Sequence, residues 1–212
     1  MKDFPFFTTQ YGVASLTLKQ IPYNGVAYIT IQDSADPKKL LQECCDFCRA
    51  VGAKSVVASG HCILQMYPMH TSVVAMRCQR EGLGDTDAAL FPVQKVTLER
   101  FRALYNDAMK TVDNAEYMSV ADAEGVLQRG NGYFVHRNGE LLGIGIAGCE
   151  RIEAIVAVKP GCGETVLSAL NHALSGECVE VEVATSNERA VRLYERLGFV
   201  QCKELSRWYK II

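Results

Sequence analysis

The chain has 212 residues, 49% hydrophobic and 22% charged, which is enough apolar material to bury one or two packed cores. Its 22 basic and 24 acidic side chains leave a formal charge of −2, so electrostatics give no reason to expect nucleic acid or an anionic membrane as a partner. Nine cysteines, an odd number behind an opening MKDFPFF that lacks the apolar run of a secretory leader, are expected as free thiols in a reducing, cytoplasmic setting.

In chain order, ASLTLKQI (14–21) and GVAYITIQ (25–32) alternate apolar and polar residues about Pro22-Tyr23-Asn24-Gly25 and are predicted as paired strands. A helix is predicted over 36–51, with Pro37 in its first turn, followed by strands at KSVVASG (54–60) and TSVVAMR (71–77). The N-terminal unit therefore reads ββαββ. Cys44, Cys45 and Cys48 fall on its helix, but no second ligand pair follows, and no metal site is expected. Gly60, His61, Gln65, Pro68 and His70 make the uncharged stretch 55–76 too polar to span a bilayer. The glycines, acids and proline of EGLGDTDAALFP (81–92) mark the expected boundary between an N-terminal unit, 1–88, and a second domain, 89–212.

Beyond it, Leu98, Phe101, Leu104, Tyr105 and Ala108 repeat at helical spacing, and 119–130 reads as a second helix between Ser119 as N-cap and Gly130 as stop. YFVHR-NG-ELLGIGIAG (133–148) is a hairpin signal, because Asn138-Gly139 tolerates the positive φ angles of a type I′ turn. The strand IEAIVAV (152–158) leads through Gly161-Cys162-Gly163 into a helix expected to run to about residue 174, with Val166, Leu170, Ala173 and Leu174 inward. The alternating strand CVEVEVAT (178–185) precedes the helix NERAVRLYERLG (187–198), whose apolar side is Ala190, Leu193, Tyr194 and Leu197. One or two strands close the chain. The order ααβββαβαβ is an α/β layer with a mixed sheet.

Asn187, Ala190, Leu193, Tyr194, Glu195, Leu197, Gly198 and Phe199, in the run NERAVRLYERLGF, resemble a signature of the GNAT superfamily of acyl-CoA-dependent N-acetyltransferases. VAVKPG (156–161) is similar to the strand end that precedes that family's pyrophosphate loop, and the likeness covers about residues 90–212. The resemblance implies a GNAT-like mixed sheet flanked by helices and use of acetyl-CoA as co-substrate. It implies a small-molecule or peptide amine as acceptor, and suggests that the smaller N-terminal unit is a degenerate copy of the same α/β half. Cofactor contacts would come from Val156, Val158, Gly161, Cys162, Gly163, Glu164, Thr165, Asn187 and Tyr194. Tyr194 would also be the acid for the departing thiolate, with Glu153 or Glu150 as a base acting through water. The loop KPGCGETVL departs from the family pattern: it is short, lacks the usual Arg or Gln, and places Glu164 in the first helical turn, where a carboxylate opposes a phosphate.

Each of these residues also has a plainer role. Gly161 and Gly163 would serve any tight strand-to-helix turn, Tyr194 would serve a core, and Asn187 would cap its helix. His136 and His172 read as hydrogen-bonded scaffold residues, and Cys162, at a helix start, as a small neutral residue or a reactive thiol. The sequence thus supports an N-acetyltransferase, with a catalytically silent GNAT-like binding or regulatory module as the alternative, and is silent on oligomeric state.

Overall fold

The computed structural model describes residues 6–212, so residues 1–5 of the opening read above for a leader lie outside the described chain. Two compact units form. One extends to Val73 and takes back Leu205–Ile212, and the other is Val74–Glu204.

In the first unit β1 (Phe6–Thr9) and β2 (Gly12–Thr17) form a hairpin, and a one-turn helix α1 (Ile21–Asn24) leads to β3 (Val26–Ser34), antiparallel to β2. Helix α2 (Pro37–Ala50) then crosses to β4 (Ser55–Ser59), which pairs parallel with β3 at five positions, Val26–Ser55 through Thr30–Ser59. The far neighbour of β4 is the end of the last strand, β11 (Val200–Lys210), with Tyr209 opposite Ala58. Asp36 caps α2 by accepting from the Lys39 N–H at 3.2 Å. The inner face of α2 buries Leu40, Leu41, Cys44, Cys45 and Cys48 against Leu16, Ile29 and Val56. Desolvation pushes the Cys44 thiol up to about 12 and those of Cys45 and Cys48 to about 11, so these cysteines act as small core hydrophobes. The expected ββαββ order is corrected by β1, whose FFTT carries no alternation that could be read as a strand.

The second unit receives the end of β5 (Met69–Gln79), then β6 (Ala89–Pro92), α3 (Leu98–Met109), α4 (Val120–Arg129), β7 (Gly132–Arg137), β8 (Glu140–Gly148), β9 (Arg151–Ala157), α5 (Gly163–Asn171), β10 (Cys178–Ala184) and α6 (Glu188–Arg196). Its strands lie in the order β5-β10-β9-β8-β7-β6; the run β6 to β9 is antiparallel and β9 meets β10 in parallel, so the sheet is mixed. Asn138 (φ 53°) and Gly139 (φ 79°) make the type I′ turn that Asn-Gly predicts. Helices α3 and α4 cover one face around Phe101, Phe134 and Ile144, while α5 and α6 cover the other around Leu142, Val166, Leu170 and Tyr194. Gly143 and Gly145 of β8 let α5 approach: a Cβ on Gly143 would lie 2.6 Å from Val166 Cγ2, and one on Gly145 2.3 Å from Leu170 Cδ1.

The division between the units falls inside β5, ahead of the boundary expected at residue 88. Residues 81–92 have the composition of a linker, yet Leu83 and Ala88 are buried and Ala89 pairs with His136, which draws the segment into the second unit. Helix α5 ends at Asn171, earlier than expected, although Leu174 still packs in the core, and a single strand closes the chain.

Candidate active site

β9 and β10 start side by side and then part. Their register pairs are Glu180–Arg151 and Val181–Ile152, supported by Glu180 N–H donating to Glu150 O at 2.8 Å, while β9 runs on to Ala157 and β10 to Ala184. Parallel strands that lose each other's hydrogen bonds leave a wedge between them whose walls carry backbone donors and acceptors. Beyond the wider end, β9 turns through Val158–Gly163. Val158 and Lys159 both donate to Leu142 O, and Gly161 sits at φ 84°.

Helix α5 starts there without a cap. Val166 is the first residue to bond back, to Cys162 O at 2.9 Å, and Cys162 makes no side-chain capping bond, so the N–H groups of Gly163, Glu164 and Thr165 have no intrahelical acceptor. Unpaired amides and the positive end of the helix dipole form an anion-binding surface that needs no basic side chain. α6, by contrast, is closed at its start, where Asn187 Oδ1 accepts from Ala190 N–H at 3.3 Å. The charges nearby are largely paired: Lys159 reaches both Glu140 oxygens at 2.8 Å, Arg192 pairs with Glu188, and Arg196 lies 3.8 Å from Glu164. The Arg196 contact draws off part of the repulsion that Glu164 would exert on a phosphate.

Tyr194 projects from α6 into the core shared with α5, its ring 5.4 Å from that of Phe199. Only 8% of the residue is exposed, and burial pushes the phenol up to about 12. The hydroxyl has no hydrogen-bond partner among the described residues, yet it is not one of the fully enclosed orphan atoms. A protonated donor without a protein acceptor is therefore held at the margin of the core.

On β9, Ile146 pairs with Ala154 and Ala147 with Ile152, which leaves Glu153 as the extra residue of a bulge. Its half-exposed carboxylate accepts from Asn131 Nδ2 at 3.4 Å and lies 3.9 Å from Arg129.

No protein-family model matches the chain, and no curated protein matches its sequence. Among solved structures, a GCN5-related N-acetyltransferase from Anabaena variabilis ATCC 29413 is similar with a TM-score of 0.62 at 14% identity, over 94% of this chain and 59% of its own. A second, from Sphaerobacter thermophilus, gives 0.58 at 11% identity, over 93% and 75%. A functionally unknown conserved protein from Staphylococcus epidermidis ATCC 12228 gives 0.58 at 11%, over 98% and 93%. The fold is that of the GCN5-related N-acetyltransferases.

Within this GNAT fold, Val156, Val158, Gly161, Cys162, Gly163, Glu164 and Thr165 form one continuous run from the end of β9 into the first turn of α5. Asn187 and Tyr194 stand on α6, and α6 reaches the loop: a Cβ on Gly163 would lie 3.0 Å from Leu193 Cδ2. Asn187 acts as the helix cap. The two candidate bases separate. Glu153 occupies the bulge, whereas Glu150 sits in the turn before β9, 3.6 Å from Arg77, its side chain laid over Gly176. Glu150 is thus at the opposite end of β9 from the loop. His136 packs its ring on Phe91, and His172 Nε2 lies 3.1 Å from Asp85 Oδ1, both scaffold contacts.

Sequence reasoning missed Arg196 and Asn131. Arg196 belongs to the solvent-facing stripe of α6, where no spacing rule singles it out. Asn131 follows the Gly130 stop directly, which makes it look like loop.

Proposed function

We propose that the protein is an N-acetyltransferase that moves an acetyl group from acetyl-CoA to a primary amine. One observation carries this reading: the wedge between β9 and β10 opens beside the uncapped start of α5. The wedge would take the extended, amide-bearing arm of the cofactor along Val156 and Val158, and the N–H groups of Gly163, Glu164 and Thr165 would take its pyrophosphate. Bound there, acetyl-CoA would supply the acetyl thioester. Glu153 would take up, through water, the proton that the attacking amine sheds as the C–N bond forms. Tyr194 would give its phenolic proton to the sulfur as the C–S bond breaks, then regain one from solvent, so that amide and free thiol leave and the enzyme is restored.

The acceptor is proposed as a small-molecule or peptide amine, and the nine free thiols support a cytoplasmic setting. No helix is long and apolar enough to cross a membrane among the described residues. We further propose that the N-terminal unit is a degenerate GNAT-like half. It repeats the sequence of antiparallel meander, crossover helix and parallel strand, but β3 and β4 stay paired at five positions and the Asp36 carboxylate occupies the start of α2. Both features close the cofactor site that the second unit leaves open.

Release of free thiol from acetyl-CoA over a panel of primary amines tests the reading. Amine-dependent release that disappears on heat denaturation supports it, and no release above the uncatalysed rate with any amine rejects it. Glu164 in the first turn of α5 favours the second reading, a catalytically silent module of the same fold.

A further inference from the structure

Helix α4 stops at Gly130, whose φ of 64° turns the chain so that the residues on either side of it reach one carboxylate. Arg129 Nη2 lies 3.9 Å from Glu153 Oε2, and Asn131 Nδ2 donates to Glu153 Oε1 at 3.4 Å. The Arg129 side chain is mostly exposed and its pairing is screened by water, whereas the Asn131 amide oxygen is enclosed. The backbone of Asn131 is fixed as well. Its carbonyl accepts from Ala147 N–H at 2.9 Å, and Ala147 of β8 stands at the bulge, where Ile146 pairs with Ala154 and Ala147 with Ile152. The Asn131 side chain therefore runs from the start of β7, across β8, to the residue that the bulge sets out of register on β9.

The amide is held there at a cost. Its NH2 group must face Glu153, because the reverse orientation would set two acceptors against each other, and this turns Oδ1 into a fully buried position without a hydrogen-bond partner. Buried amide oxygens are seldom left unsatisfied, and stability given up at one point of a fold is characteristic of a functional site. An apolar residue of the same size would pack there without the missing bond, yet could not direct the carboxylate.

We infer that Asn131 is a positioning residue for acetyl transfer: it holds the Glu153 carboxylate in the orientation from which that group takes up, through water, the proton of the attacking amine. The assignment rests on the acetyl-transfer reading, since Asn131 acts only through Glu153. Its part is to restrict a half-exposed side chain that stands on a bulge and has several rotatable bonds.

Steady-state kinetics of the whole chain, with acetyl-CoA and the amine that gives the fastest thiol release, test the inference through Asn131→Leu, Glu153→Gln and the double variant. Asn131→Leu is expected to lower kcat by at least about tenfold with the KM for acetyl-CoA within about twofold, while the melting temperature stays level or rises by about 2–4 °C. Glu153→Gln should lower kcat by about 10²-fold. In the double variant kcat should match that of Glu153→Gln alone, because the amide then has no carboxylate to hold. A kcat within about twofold of the parent for either single variant overturns the inference. So does a full further loss in the double variant, or a lowered melting temperature in Asn131→Leu, which would make the amide a packing element. Turnover by the parent keeps the two readings apart. With an active parent, any of those contrary results leaves the transferase standing and the positioning role fallen; a parent inactive with every amine removes the transferase reading and the inference with it.

Discussion

Burial rather than a hydrogen bond sets the acidity of Tyr194. A phenol held near 12 remains protonated throughout the neutral range and so has a proton to give. Tyr194→Phe should therefore lower turnover by about 10²-fold while acetyl-CoA affinity stays within about twofold. An equal loss in both quantities would make the hydroxyl a binding group. Because that hydroxyl has no protein acceptor, the same variant should fold as well as the parent, with an unchanged or slightly raised melting temperature. Stability should respond to pH in one direction. The neutral phenols of Tyr194 and Tyr105 contribute stability that is complete below their unfolded pKa near ~10 and is lost as pH rises toward 12. Denaturant midpoints across that window should fall, and fall less in Tyr194→Phe. At the loop, Glu164→Gln removes a carboxylate from the start of α5 and should tighten acetyl-CoA binding by about two- to fivefold. No change would place the phosphates elsewhere.

At the scale of elements, α5 is positioned by what β8 lacks. A methyl group on Gly143 would stand 2.3 Å from the Val156 carbonyl oxygen, a backbone atom that cannot step aside. Gly143→Ala should cost about 1–3 kcal/mol, read as a lower melting temperature, and should weaken cofactor binding because the start of α5 moves with the helix. A melting temperature unchanged by this variant would mean that the contact relaxes at no cost. The helices and the Asn138-Gly139 hairpin were legible because they depend on local signals, namely 3.6-residue spacing, caps and a turn that needs positive φ. The same is true of the Tyr194 helix and the loop before α5. The parting of β9 from β10 and the bulge at Glu153 were not legible, since register between strands is decided by packing across the sheet, to which alternation is blind. That is why Glu150 and Glu153 read as equivalent acids when only one lies at the bulge.

For the whole molecule, the two compact units do not divide the chain in sequence order. The neighbour of β4 in the first unit comes from the end of the chain, with Tyr209 buried among Leu16, Ile29 and Val56, and the second unit takes in the end of β5. A break placed by composition at residues 81–92 cannot anticipate strands that leave one unit and complete another. Deleting residues 205–212 should therefore destabilise the first unit, seen as rapid proteolysis between residues 12 and 59 at temperatures where the full chain resists; an unaltered digestion pattern would show that β4 is stable without its neighbour. The central claim is that the wedge and the uncapped α5 still hold a CoA thioester despite the shortened, acidic loop. Isothermal titration of the whole chain with acetyl-CoA tests it most directly. The structure predicts one saturable site per chain with a Kd on the order of micromolar, common for small co-substrates, and an absence of saturable binding at millimolar acetyl-CoA would contradict it.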